Sequence, residues 1–237
     1  MFRFKQFCIE DNVSSMKVGT DAVLLGSVAE APKEISEPDE MRILDIGTGC
    51  GVVALMLAQR YGKARIDAID IDEASTRQAS ENFKQSPWSN RLVAIHGDIR
   101  NYDSEWRYDL IVANPPYFTK SLHGPSERRN RARHDDNLTT DELTQAATRL
   151  LDDNGSFWVI LPPDATERLV QAAAQASLYC HRRIDLSDAA DGQVKRSLTE
   201  IRKWPPLPSP CVCREVLRDG NGERSEWHKK VTKEFYL

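Results

Sequence analysis

The chain has 237 residues, 40% hydrophobic and 29% charged, with a formal net charge of -4. That balance describes an ordinary globular protein long enough to bury a core, and it excludes low-complexity and collagen-like chains. No apolar run is long enough to span a bilayer. The five cysteines, Cys8, Cys50, Cys180, Cys211 and Cys213, are odd in number and contain no CxxC pair. With no signal peptide visible, they lead to the expectation of a reducing cytoplasm. Cys211 and Cys213 read as alternating strand positions, and the five histidines are scattered, so no metal site is expected.

In chain order, "TDAVLLGSVA" reads as an N-capped helix with an apolar face of Val23, Leu24 and Val28. The polar, proline-containing residues 31–40 read as a linker. "RILDIGTGCG" (Arg42–Gly51) is a short apolar strand entering a glycine-rich turn, and "VVALMLAQRY" has helical spacing. The strand "ARIDAIDID" and the helix "EASTRQASENFKQS" follow, then the strands "RLVAIHGDI" and "YDLIVA". "TTDELTQAATRLLDDNG" reads as a helix started by Thr139 or Thr140 and ended by Gly155. "GSFWVILP" is a fifth strand and "DATERLVQAAAQAS" another helix. Strand-like pieces come around "CHRRIDL", "RSLTEIRKW" and "CVCREVL". Near the end, Trp227, Val231 and Phe235 form a helical stripe that reads as core packing. The alternation predicts a doubly wound, Rossmann-like α/β fold with a mainly parallel central sheet.

In such a sheet, ligands bind at the carboxyl ends of the strands. Gly47, Gly49 and Gly51 make a GxGxG turn, in which glycine lets the backbone pass close to a ligand. Asp45, just before the turn, suits an amino-acid ammonium group better than a pyrophosphate. Asp70, at the end of the second strand, can accept from two ribose hydroxyls. Asp98 can accept from an adenine amino group, with Ile71 and Ile99 placed to sandwich the ring. The four pieces in this order point to S-adenosylmethionine rather than NAD, although each alone also reads as a plain turn or a helix cap.

"DIGTGCG", "DAIDID", "HGDI" and "ANPPY", in that order, resemble the class I methyltransferases that modify planar amino groups. An exocyclic amine is a poor nucleophile because its lone pair is shared with the ring. Two acceptors outside the ring plane, the Asn114 side-chain oxygen and the Pro115 carbonyl, favour a pyramidal nitrogen with its lone pair free. The prolines keep the turn rigid and put no N–H into the site. Tyr117 offers a flat face for a base, a contact of ~1–3 kcal/mol. A simpler reading of the tetrapeptide is a strand stop followed by a core tyrosine.

"MKVGTDAVLLG" (Met16–Gly26), "ENFKQSPWSNRL" and the terminal "FYL" resemble the bacterial family that methylates N6 of the adenine next to the anticodon of valine tRNA. The resemblance implies that Thr20 helps hold the methionine end of the cofactor and that Asn114 lies against it. It also implies a tRNA partner. Arg128, Arg129, Arg131 and Arg133 directly follow the amine motif and are expected to grip phosphates, the alternative being a solvated loop paired with nearby acids. A DNA or rRNA adenine and a release-factor glutamine are the rival substrates, and a catalytically silent cofactor-binding module is the rival from another class. No block is seen that would serve as a DNA-reading or release-factor domain. The expected organisation is one monomeric domain over residues 1–237. It comprises a cofactor-covering segment and linker (1–40), a core (41–177) and C-terminal strands with a terminal helix (178–237).

Overall fold

The computed structural model describes residues 1–14, 17–32, 41–116 and 138–237. A small antiparallel pair, β1 (Phe2–Arg3) and β2 (Cys8–Ile9), precedes helix α1 (Thr20–Val28). Then follow β3 (Arg42–Ile46), α2 (Val52–Arg60), β4 (Arg65–Asp70), α3 (Glu73–Lys84), β5 (Leu92–His96) and β6 (Tyr108–Ala113). Beyond the amine motif come α4 (Thr140–Leu150), β7 (Leu151–Leu161), α5 (Pro163–Gln175), β8 (Tyr179–Ser187), β9 (Val194–Arg202), β10 (Cys211–Val216) and α6 (Glu226–Thr232).

Eight strands form one sheet in the order β10-β8-β9-β7-β6-β3-β4-β5. β9 is antiparallel to both of its neighbours, while the other paired strands run parallel. This is the doubly wound, mainly parallel sheet expected from the alternation of elements. Successive strand side chains point to opposite faces, so the apolar runs feed two cores. Ile43, Ile66, Leu110, Val112 and Trp158 face the core under α1, α2 and α3. Leu44, Ile46, Ile69, Ile111 and Phe157 face the core under α4 and α5. Strands buried on both faces read as continuous hydrophobic runs for this reason.

Three local expectations are corrected. The helix opened by Thr139 ends at Leu150 rather than Gly155, because Leu151 is already extended (φ -68, ψ 136) and begins β7. Gly155 lies inside that strand beside a register irregularity. A Cβ there would come 2.8 Å from the Tyr108 carbonyl oxygen, so the glycine serves close strand approach and not a helix end. The cap of α1 is Gly19, with Thr20 the first helical residue, and Ala22, Val23, Leu24, Leu25 and Gly26 are all buried. That helix is therefore buried around much of its circumference rather than on one face. At the C-terminus, Trp227 and Val231 on α6 pack against the main core as expected, while Phe235 joins it from beyond the helix. At the start of α4, Thr139 and Glu142 form a reciprocal capping box.

Candidate active site

The glycine turn leaves β3 at the carboxyl edge of the sheet. The Gly47 and Thr48 amides donate to the Ile69 carbonyl at 2.9 and 3.1 Å, which stitches the turn to the end of β4. All three glycines have positive φ, +70° at Gly47, +57° at Gly49 and +87° at Gly51. A Cβ on Gly51 would lie 2.5 Å from Phe83, so that glycine serves packing against α3. Among the described residues, a Cβ on Gly47 would meet nothing within 4 Å, which leaves the turn open where a ligand could approach.

Asp45 is 2% exposed beneath this turn. Its Oδ2 accepts from Thr48 Oγ1 at 2.7 Å and from the Ala54 amide at 3.2 Å. Burial pushes its carboxyl up to about 7 against the pull of these bonds, with Asp70 adding a smaller upward push. An ammonium group delivered here would restore the charged form. Asp70 binds the turn directly: Oδ2 accepts from the Gly49 amide at 2.8 Å and Oδ1 from the Asp72 amide at 2.9 Å. Each carboxylate oxygen has two acceptor sites, so each retains capacity for a ribose hydroxyl. Burial raises the Asp70 pKa, opposed by these same amides.

Asp98 follows β5, and Arg100 holds both of its oxygens at 2.7–2.9 Å. That contact lowers the Asp98 pKa. Arg100 also reaches Glu142 at 3.4 Å, which links the segment after β5 to the start of α4. Arg149 steadies the same segment by donating to the Ile99 and Tyr102 carbonyls at 2.9 and 3.0 Å. Ile71 is 49% exposed and can present a face to a ring, whereas Ile99 is 5% exposed and packed into the second core.

β6 delivers Asn114 beside β3, with Ala113 opposite Ile46. Asn114 and Pro115 are buried and Pro116 is exposed. Among the described residues, Asn114 Oδ1 is buried without a hydrogen-bond partner, although a lost partner for such a group costs ~1–3 kcal/mol. Asn114 lines a cavity of about 230 Å³ that Thr20 also lines, so the structure brings these two predicted residues together. Tyr117 and Arg128, Arg129, Arg131 and Arg133 lie outside the described residues.

Sequence reading missed two sets of positioning residues. Gln78 and Asn82, buried on α3, clamp the N-terminal segment. Gln78 accepts from the Val13 and Ser14 amides, and Asn82 donates to the Glu10 carbonyl at 2.8 Å. Asn82 also donates to the Cys50 carbonyl of the glycine turn at 2.8 Å. The second set is Lys17, Asp21 and Arg196, which line the Asn114 cavity. Gln78 and Asn82 stand four residues apart on one helix face, a spacing readable in sequence, whereas nothing local pairs Asp21 with Arg196.

Residues 22–169 match the model of the methyltransferase small domain. The tRNA1(Val) (adenine(37)-N6)-methyltransferase of Bacteroides thetaiotaomicron is 41% identical, with 100% of this chain and 97% of the relative covered. The chain belongs to the tRNA1(Val) (adenine(37)-N6)-methyltransferase family. Another of its members, from Proteus mirabilis, is 38% identical over 100% of this chain and 93% of its own length. The fold is also that of a predicted O-methyltransferase from Agrobacterium tumefaciens, with TM-score 0.68 and 15% identity over 90% of this chain and 96% of that one.

Proposed function

We propose that this protein is an S-adenosylmethionine-dependent methyltransferase acting on N6 of the anticodon-loop adenine of valine tRNA. It would act in the cytoplasm as a monomer. The residues fit the cofactor: an open glycine turn at Gly47, a buried carboxyl at Asp45, acceptor capacity on Asp70 and an exposed apolar face at Ile71. S-adenosylmethionine, when bound, supplies an electrophilic sulfonium methyl group. Asp45 holds the ammonium end with Thr20, Asp70 takes the ribose, and Asp98 and Ile71 take the adenine.

The single observation that carries the reading is the Asn114 Oδ1 at the end of β6, buried and without a partner among the described residues. An acceptor left without a donor in a rigid turn is preorganised for a donor that arrives with the substrate. Asn114 and the Pro115 carbonyl accept the two N–H groups of the target amine, and Tyr117 stacks on its base. A target adenine must leave its stack to reach such a site, which an anticodon loop allows at lower cost than a duplex. Arg128, Arg129, Arg131 and Arg133 follow as phosphate contacts.

Nucleoside mass spectrometry after incubation with labelled cofactor tests this reading. Unmodified valine tRNA should gain N6-methyladenosine, while duplex DNA, rRNA and a release factor stay unlabelled. Label in protein glutamine with none in tRNA would overturn the substrate.

A further inference from the structure

Arg196 lies near the start of β9, at the same end of the sheet as Asn114. The register fixes this: Ala113 lies opposite Val159 on β7, and Leu161, two residues further along β7, lies opposite Ser197. The Arg196 side chain crosses to α1, where Nη1 donates to Asp21 Oδ1. The pair is largely shielded, with 22% and 17% of the two side chains exposed. Arg196 and Lys17 line the cavity of about 230 Å³ that Asn114 also lines.

That cavity is built for an anion. Lys17 and Arg196 contribute two positive charges against one from Asp21, and the first turn of α1 adds the positive end of its dipole. A guanidinium carries five N–H donors, so the bond to Asp21 fixes its orientation and leaves donors for an incoming oxyanion.

Thr20 also lines this cavity, so the cofactor carboxylate and a substrate phosphate compete for it, and the strand order favours the phosphate. The carboxylates of the proposed cofactor site belong to β3, β4 and the segment after β5, on one side of β6. Arg196 stands on the other side, on β9, with β7 between. A nucleotide whose base reaches Asn114 brings its own phosphodiesters to that side. We propose that Arg196, oriented by Asp21 and assisted by Lys17, grips a backbone phosphate flanking the target adenosine. This rests on the tRNA reading above.

Arg196→Gln, Arg196→Lys and Lys17→Gln test the assignment, with S-adenosylhomocysteine binding by calorimetry and tRNA binding measured across a salt series. Arg196→Gln should raise the tRNA Kd and KM about tenfold and change kcat by less than ~3-fold. The salt dependence of tRNA binding should flatten by about 0.7–0.9 in log–log slope. S-adenosylhomocysteine affinity should equal that of the parent, which also shows that the variant is folded. Arg196→Lys should restore most of the slope. Should Arg196→Gln fail to fold, Arg196→Lys and Lys17→Gln carry the test, with weaker tRNA binding and a flatter slope expected for Lys17→Gln. Parental tRNA affinity and slope in the folded variants would overturn the proposal and leave the Asp21 pair purely structural. Weakened S-adenosylhomocysteine with unchanged tRNA binding would also overturn it, by making the anion the cofactor carboxylate. A parent protein that methylates no tRNA would instead fail the substrate reading itself.

Discussion

Burial pushes the Asp45 carboxyl up to about 7, and this has a consequence for stability without cofactor. Below about pH 4 the group is protonated in both the folded and the unfolded chain, and no penalty exists. As pH rises from about 4 to about 7, the unfolded chain gives up its proton first, so stability falls. Above about pH 7 the folded state carries the whole cost of a buried charge. Asp45→Asn should therefore be more stable than the parent by ~2–4 kcal/mol at pH 8 and nearly equal to it at pH 4 in denaturant titrations. A gain that does not change with pH would show that Asp45 ionises at an ordinary value. The same variant should bind S-adenosylmethionine more weakly, since it loses the charge facing the ammonium group. Asp70→Ala should weaken S-adenosylmethionine and S-adenosylhomocysteine alike by ~1.5–3 kcal/mol, because both carry the same ribose. Calorimetry that finds both affinities unchanged would move the ribose site elsewhere.

The glycine turn, as an element, separates two uses of the same residue type. Gly51→Ala puts a methyl group 2.5 Å from Phe83 at a left-handed position. It should cost ~2–4 kcal/mol of folding stability through overpacking and backbone strain. Gly47→Ala meets nothing within 4 Å among the described residues. It should cost only ~1 kcal/mol of stability while weakening the cofactor about tenfold or more, because the methyl enters the space left for backbone approach. Thermal melts and calorimetry on the pair check the split, and equal cofactor losses would sink the distinction. This turn was legible in sequence because strand, glycines and helix are contiguous. The end of α4 was not. Gly155 offered the usual signal for a helix terminus, but its role is set by the Tyr108 carbonyl on a neighbouring strand, which no local pattern shows. Thr139 succeeded where Gly155 misled, because a capping box is complete within four residues.

Across the whole molecule, the sheet divides the work between its two halves. β3, β4 and the segment after β5 carry the acids of the proposed cofactor site, β6 leads to Asn114, and β9 brings Arg196 from the other side. The alternation of strands and helices predicted a mainly parallel sheet but not its strand order, so this division was only partly visible in sequence. The Asp21–Arg196 pair was not, since its members are 175 residues apart and meet only when β9 inserts beside β7. The same holds for Asn82, whose side chain joins the Cys50 carbonyl to the N-terminal segment. Of the two acceptors proposed for the target amine, the Asn114 side chain is the one that substitution can remove, and its Oδ1 is buried without a partner among the described residues. Single-turnover methylation of valine tRNA by Asn114→Ala, read beside its S-adenosylhomocysteine affinity, tests that claim most directly. The predicted result is a rate lower by about 10²–10³-fold, as for loss of one preorganised partner at a reacting centre, with cofactor affinity near that of the parent. A near-parental rate would contradict the acceptor role of Asn114.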